Sequence, residues 1–412
     1  MKNKIEKILA EEIKDSRGNP TIKVTVWAGD KFDSFSVSSG ASTGSHEAHE
    51  LRDMDGKGVK NAIGKVNDVI APALVGQDVF NQEKIDEIMI KLDGTSNKDN
   101  FGGNSMIGVS IACAKTAAKV ANKEVYQYLR TLAEILPRGG RGKPSRKTPY
   151  LFMNLIEGGK HTDSGLAFQE YHIVPQIEDA KEAVDIAITV QNTLREIIMK
   201  DLGEESVILG DEGGFAPKTI DIEKPLVYLS EALKKNNLQD KVRLALDVAA
   251  LSFYDNGLYK VSGKSISKEE LMTIYDSLIK EFNLLSIEDP FHEEDFESFG
   301  KLKKQHPNFL VVGDDLTVTN PILLKSAIKN SSINSMIIKP NQIGTLSETL
   351  ETMKLARENN IELIVSHRSG ETDDDFIADL AFAFNCFGLK SGSPRKLERM
   401  LKYDRLIKIS EK

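Results

Sequence analysis

The chain has 412 residues, with 54 Lys plus Arg against 62 Asp plus Glu and a net charge of −8. At roughly 100–200 residues per domain, that length calls for two or three domains, or for one large barrel with an extra module. Hydrophobic residues at 40% and charged residues at 28% argue against disorder, and the acidic balance argues against binding nucleic acid through overall charge, because a phosphate backbone rewards positive charge.

The first ten residues, MKNKIEKILA, hold no apolar core or small-residue cleavage site, so no secretory leader is expected. Thr21–Trp27 alternates as a half-buried strand does, and Phe32–Ser38 can pair with it across a turn at Ala28–Lys31. Helical spacing follows in Val59–Leu74, Gln82–Leu92 and the Ala-rich Asn104–Leu129. Strands then helices make residues 1–135 a compact α+β domain. Residues 136–149, LPRGGRGKPSRKTP, carry three prolines, three glycines and five basic residues with no acid, the composition of a solvated linker. Cys113 and Cys386 sit in apolar stretches and are expected to be reduced core residues of a cytoplasmic protein. No run is long and apolar enough for membrane insertion.

From residue 150 to 412 the pattern changes to short apolar runs that end in polar residues. VILGDE ends at Glu212, RLALD at Asp247, LLSIED at Glu288 and Asp289, and FLVVGDD at Asp314 and Asp315. SMIIK ends at Lys339, ELIVSHR at His367 and Arg368, and CFGLK at Lys390. Successive ends lie 23 to 41 positions apart (367 to 390 at the shortest, 247 to 288 at the longest), the length of βα units. A closed parallel barrel gathers strand C-termini on one face, so these charges should converge at a single mouth.

Charges buried at such a mouth must be paired or bound to metal. Asp247, Glu288 and Asp314 offer only oxygen, which suits a hard cation such as Mg²⁺ or Mn²⁺. Lys339 and Lys390 would share the pocket with that cation, and their pKa values should drop. A depressed lysine beside a divalent cation suits abstraction of a proton next to a carboxylate.

Eight segments then resemble enolase, in enolase order: DSRGNPT (Asp15–Thr21), SGASTG (Ser39–Gly44), GGNSMIGVS (Gly102–Ser110), GDEGGFAP (Gly210–Pro217), SIEDPF (Ser286–Phe291), GDDLTVTN (Gly313–Asn320), KPNQIGT (Lys339–Thr345) and SHRSGETDD (Ser366–Asp374). A lysine base facing a hard cation is itself the general pattern of enolase-superfamily sites. The resemblance implies an α/β fold, an enolase-type (βα)8-like barrel of order ββαα(βα)6 behind a small α+β N-terminal domain. It implies reversible dehydration of 2-phosphoglycerate to phosphoenolpyruvate with two Mg²⁺ per site. By the same matches, Asp247, Glu288 and Asp314 should hold one metal, and Ser42 should help hold the other from a closing loop. Lys339 should be the base and Glu212 the acid, its pKa raised by crowding from Glu170, which supports it. Arg368 and Ser369 should bind phosphate and Lys390 the substrate carboxylate, with His161, His367 and Gln169 also contacting substrate. A homo-oligomer in the cytoplasm, with a cell-surface or secreted fraction besides, is the family expectation. The alternatives are a paralogue acting on another phosphorylated or phosphonylated acid, and a scaffold or surface-binding role.

The chain departs from the family pattern in four places. Asn-Gly-Gly-x-His-Ala becomes Glu157-Gly-Gly-Lys160-His161-Thr162, which adds charge to the histidine's loop and bears on closure and selectivity. Thr-Gly-Ala after Lys390 becomes Ser391-Gly392-Ser393. Arg-Ser-Glu-Arg becomes Lys396-Leu397-Glu398-Arg399, and Lys23 stands where a glutamate is usual, so an interface altered at Lys23 and Arg399 is expected.

Overall fold

The computed structural model describes residues 3–40, 44–135 and 148–411. Ser42 and most of the basic linker, residues 136–147, therefore lie outside the described residues.

The chain opens with an antiparallel meander, β1 (Ile5–Lys14), β2 (Pro20–Ala28) and β3 (Lys31–Ser36). The β1–β2 turn is held by Asp15, whose Oδ1 accepts the amides of Arg17 at 2.9 Å and Asn19 at 2.8 Å. Strands β2 and β3 fall on the two expected alternating segments, whereas β1 is an additional strand. Helix Gly103–Val120 lies across this sheet and is almost wholly buried. A Cβ at Gly108 would sit 2.7 Å from Val24 Cγ2, so the close helix–sheet approach depends on glycine.

The helix expected over Asn104–Leu129 is two helices, Gly103–Val120 and Val125–Leu132. Asn122 takes a left-handed φ of 53° and ends the first. Glu124 and Gln127 form a capping box that starts the second. The helix expected from Val59 to Leu74 forms over Lys60–Leu74 with a π-helical stretch at Lys65–Ile70. Pro72 follows at once, and it has no N–H for the regular ladder.

The barrel has eight strands: β4 (Tyr150–Glu157), β5 (Glu170–Pro175), β6 (Val242–Asp247), β10 (Ser286–Glu288), β11 (Leu310–Gly313), β12 (Ser335–Ile338), β13 (Glu362–Ser366) and β14 (Gly388–Lys390). Three short strands, β7 (Tyr254–Asp255), β8 (Leu258–Val261) and β9 (Lys264–Ile266), form a separate small sheet after β6. The barrel order is β10-β11-β12-β13-β14-β4-β5-β6, and β6 pairs with β10 to close it. Only the β4–β5 and β5–β6 pairs are antiparallel, and helices Ala180–Leu202 and Lys224–Lys235 separate β5 from β6. That is the ββαα(βα)6 order. Closure leaves no barrel edge strand unpaired.

The barrel interior is a small apolar plug that includes Phe152, Val174, Val312, Ile337 and Ile364. A much larger core fills the space between barrel, helices and N-terminal unit. Cys113 and Cys386 are both buried and free, as anticipated. No helix of the described residues is long and apolar enough to cross a membrane.

One expected strand is missing. VILGDE forms no barrel strand; Leu209 and Phe215 bridge across a turn that carries Asp211–Gly214. The apolar run Val207–Leu209 instead caps this loop, with Ile208 and Leu209 exposed. Apolar length alone did not separate a buried strand from a loop rim.

Candidate active site

The remaining charged strand ends do collect at one mouth. Strand β5 runs against its neighbours, so its first residue, Glu170, pairs with the last residues of β4 and β6, Glu157 and Asp247. Asp247 pairs in turn with Glu288 at the end of β10. Asp314, Lys339 and His367 each follow directly on their strands, and Lys390 ends β14. A cavity at this mouth is lined by Glu170, Glu212, Asp247, Asp314, Lys339 and Lys390, with His161, Gln169, His367, Arg368 and Ser369 around them. Glu288 reaches the cluster through Lys390.

Lys390 Nζ is the electrostatic centre. It lies 2.7 Å from Asp247 Oδ2, 2.9 Å from Glu288 Oε2 and 3.3 Å from Glu170 Oε1. Burial alone would push the ammonium down, but Asp247, Glu170 and Glu288 together hold it well above its usual value. Lys339 shows the same balance: burial lowers it, and the Asp314 carboxylate bonded to Nζ raises it further. The drop expected for both lysines is therefore not found. The carboxylates meant for a cation lie against the ammonium groups and outweigh desolvation.

Glu170 and Glu212 crowd each other as anticipated, but the pair splits the other way round. Burial and the charge of Glu212 push Glu170 up to about 8. Burial opposes the charge on Glu212 as well, yet its surroundings hold it well below the usual carboxylate range, with His367 first among them. Its Oε2 lies 3.3 Å from His367 Nε2 and accepts Asn154 Nδ2 at 3.2 Å, and its Oε1 lies 3.9 Å from His161 Nδ1. His367 is itself pressed to about 4, chiefly by burial, so at neutral pH it faces Glu212 as an uncharged ring rather than as a cation.

That depressed histidine has a stability consequence. The folded His367 titrates near 4 against an ordinary 6.5, so the unfolded chain binds the extra proton between those values and stability is lost as pH falls through that window. The loss should be on the order of 3 kcal/mol. Glu170 acts oppositely: its raised pKa favours the fold at low pH and that contribution fades as pH rises toward about 8. The check is therefore a difference. Denaturant melts from pH 4 to 8 should show a flatter acid limb for His367→Gln than for the unaltered chain; parallel limbs would contradict it.

The loop charges at Glu157–Asp163 divide. Lys160 and Asp163 face solvent, but Glu157 is fully buried. Its Oε1 accepts the Glu212 amide at 3.1 Å and the Gly214 amide at 2.6 Å. Glu157 thus ties the Glu212 loop to the end of β4. Glu157→Leu should orphan both amides and lower unfolding free energy by about 2–4 kcal/mol, while Glu157→Gln keeps an acceptor and should cost about 1 kcal/mol. Equal costs for the two variants in urea melts would contradict the clamp.

Two groups of described residues bring ligand atoms within 4.8 Å of one another: Asp289, Asp314 and Asp315, and His161, Glu170 and Glu212. The expected trio Asp247, Glu288 and Asp314 is not such a group, because Lys390 draws in the first two and Lys339 the third. Asp289 also accepts the amides of Asp314 at 2.9 Å and Asp315 at 2.7 Å, which shapes the turn. A cation nevertheless fits this mouth. Burial and neighbouring carboxylates push Glu288 and Asp289 well up, and push Asp315 to about 8. These carboxyls crowd one another more than Lys339 and Lys390 can relieve, which favours their protonated forms; a hard divalent ion would take the place of those protons, and an oxygen-rich donor set suits it.

At the other side, Arg368 Nη1 bonds Glu47 Oε2 at 2.8 Å, and Glu47 Oε1 accepts the Gly44 amide at 3.1 Å. Glu47 comes from the N-terminal unit. The two units also meet where Asn341 Nδ2 donates to Ser38 O at 2.8 Å and the Ala48 amide to Gln342 O at 2.8 Å. Between them a cleft of 530 Å³ runs from Arg52 and Lys57 past Glu47 to Arg368.

Four residues of this site were not singled out from sequence. His172 Nε2 lies 2.8 Å from Glu170 Oε2; its signal was its place two residues on along β5, on the same face. Asp289 and Asp315 were noted only as second acids of a pair, and nothing marked Glu47. Arg399 corrects an expectation. It is fully buried, with its guanidinium bonded to His367, Arg368, Ser369 and Asp211, so it is not available to a partner chain opposite Lys23.

Comparison with known proteins agrees with this geometry. Residues 5–129 match the family model for the enolase N-terminal domain, and residues 146–412 match that for the enolase C-terminal TIM barrel domain. The chain is 44% identical to the enolase of Methanocaldococcus jannaschii over 413 aligned positions, covering 99% of this chain and 95% of that one. It is 43% identical to enolase B of Dictyostelium discoideum, covering 99% and 94%, and 43% identical to the enolase of Corynebacterium kroppenstedtii, covering 98% and 94%. With both domain models matched in order and near-complete coverage of these relatives, the chain belongs to the enolase family.

Proposed function

We infer that the protein is a phosphopyruvate hydratase, a lyase of glycolysis and gluconeogenesis that reversibly dehydrates 2-phosphoglycerate to phosphoenolpyruvate and water. The observation that carries this reading is the single mouth that holds a lysine, Lys339, and a carboxyl, Glu212, with Arg368 beside them. A base, an acid and a phosphate fork are what the reaction needs.

Lys339 takes the C2 proton and Glu212 gives a proton to the departing 3-hydroxyl. Glu170, the member of the pair that holds its proton at neutral pH, supplies Glu212. Arg368 and Ser369 hold the phosphate, which displaces Glu47 from the guanidinium. Lys390 neutralises the substrate carboxylate, and His161, His367 and Gln169 line the pocket. Asp247, Glu288 and Asp314 hold a metal ion, with Ser42 serving a second; Mg²⁺, two per site, is the cofactor we propose. Bound there, it supplies positive charge to the substrate carboxylate as negative charge builds on it. Any group that takes up the Asp314 charge also removes what keeps Lys339 protonated, so base strength and substrate assembly are coupled.

The chain divides, in this reading, into 1–135, a linker 136–149 and 150–412, which the family matches at 5–129 and 146–412 support. The enzyme is a cytoplasmic homo-oligomer, with a cell-surface fraction besides; Lys23 remains a candidate for its interface and Arg399 does not. Ultraviolet absorbance of phosphoenolpyruvate should rise on adding 2-phosphoglycerate with Mg²⁺ and stop on adding chelator. Lack of turnover with Mg²⁺ present would overturn the assignment, and a sizing column run beside the assay reads the oligomer.

A further inference from the structure

We infer that Arg399 is a positioning residue that fixes His367 as the neutral tautomer with its proton on Nε2, aimed at Glu212; the inference rests on Glu212 being the acid of the reaction.

Arg399 stands in the first turn of helix Leu397–Ser410 and is fully buried. Its Nη1 donates to His367 Nδ1 at 2.5 Å and to Arg368 O at 2.7 Å. Its Nη2 donates to Ser369 O at 2.6 Å and Asp211 O at 3.3 Å. One planar group therefore joins the end of β13 to the loop that carries Glu212.

A guanidinium has N–H groups and no lone pair to offer. His367 Nδ1 must then be the acceptor, and a neutral ring has its one proton on Nε2. That nitrogen lies 3.3 Å from Glu212 Oε2. The imidazolium form would set an N–H against an N–H and a cation against a cation. Glu371 adds negative field from the same strand end, but its carboxylate lies 2.8 Å from Lys402 Nζ. Burial and Arg399 accordingly outweigh Glu212 and keep the ring neutral.

The consequence concerns catalysis. An acid that gives up and regains a proton needs a neighbour suited to both forms. A fixed neutral Nε2–H can donate to a carboxylate or to the carbonyl oxygen of a carboxylic acid. It also cannot pull the proton from Glu212, because its other nitrogen is engaged by Arg399. The family role of Glu212 needs such a donor, and here the guanidinium determines which nitrogen supplies it.

The test is ring-nitrogen NMR on the full-length protein with ¹⁵N-labelled histidine. Of its seven histidines, the one whose signals vanish in His367→Gln is His367. At neutral pH it should show a protonated Nε2 and an unprotonated Nδ1. In Arg399→Met the pattern should give way to mixed tautomers or imidazolium, and kcat should fall roughly 10- to 100-fold with KM within a few-fold, taking as scale the loss of a partner that orients a metal-bound imidazole. Arg399→Lys, which keeps a donor-only cation, should restore part of both. A protonated Nδ1 in the unaltered protein would overturn the inference even if Arg399→Met did not fold, and so would an unchanged pattern in a folded Arg399→Met. The tautomer is read without turnover, so an inactive protein with the expected tautomer would count against the proposed reaction and not against the placement.

Discussion

Lys339→Ala should lower kcat by up to about 10⁴-fold, the range of a lost general base, and should stop exchange of the C2 proton of 2-phosphoglycerate with solvent. Lys339 follows directly on β12, its amide bonded to Thr319 Oγ1 at 2.9 Å, and the backbone fixes where its side chain enters the mouth. Its ammonium is also the partner of Asp314, so alanine removes base and countercharge together. Two measurements separate these losses. Isotope exchange at C2 reports the base alone, whereas a urea melt reports the uncompensated Asp314. Exchange that persists in Lys339→Ala would remove Lys339 from the role of base, whatever happened to the overall rate. Lys339→Arg is the companion variant: it keeps the charge beside Asp314 but cannot lose a proton near neutrality, so it should fold normally and still fail to exchange.

Glu212→Gln should also depress kcat, by about 10²- to 10⁴-fold, but should leave C2 exchange largely in place. The substitution preserves volume and the contact with Asn154, and the Glu212 amide still bonds Glu157. What disappears is the proton for the leaving hydroxyl. The base still acts, so substrate loses and regains its C2 proton without losing water. Loss of exchange in this variant to the same degree as turnover would place Glu212 with proton abstraction and not with departure of the hydroxyl. The two variants thus divide the reaction at its middle. Glu170→Gln is expected to resemble Glu212→Gln, since Glu170 holds its proton up to about 8 and, in the proposed mechanism, resupplies Glu212.

Much of the fold could be read directly from residue pattern. The runs ending at Asp247, Glu288, Asp314, Lys339, His367 and Lys390 are barrel strand ends, because a strand buried on both faces must be apolar along its length and a polar residue marks where it emerges. The same rule misplaced Glu212. VILG is as apolar as a strand, but what decides is pairing with a neighbour, and the partner of that segment is its own turn, clamped by Glu157 from across the barrel end. Glu212 still lines the mouth, since a loop can deliver a side chain where a strand would have. The departure at Glu157 was visible as an added charge in a loop. Only packing showed it to be buried, because loop and strand end differ there by a single residue.

The acidic balance of the chain has a local meaning, because several of its carboxyls gather at the barrel mouth. The residue types that meet at the mouth, acids beside two lysines and an arginine, were legible in the sequence, since each sits at the polar end of an apolar run whatever brings those ends together. The direction of each proton equilibrium was not. Lys339 and Lys390 were expected low and lie high, and the Glu170–Glu212 pair carries its proton on the member opposite to the one expected. Those outcomes depend on which charge stands a few ångströms from which, and electrostatic energy in a buried site varies too steeply with separation and desolvation for order along the chain to settle it. The same holds for Arg399, which sequence placed between subunits and the tertiary structure placed behind His367: a residue's partner is decided by the closing of the barrel, which brings residues 399 and 367 within hydrogen-bonding distance across two elements of secondary structure.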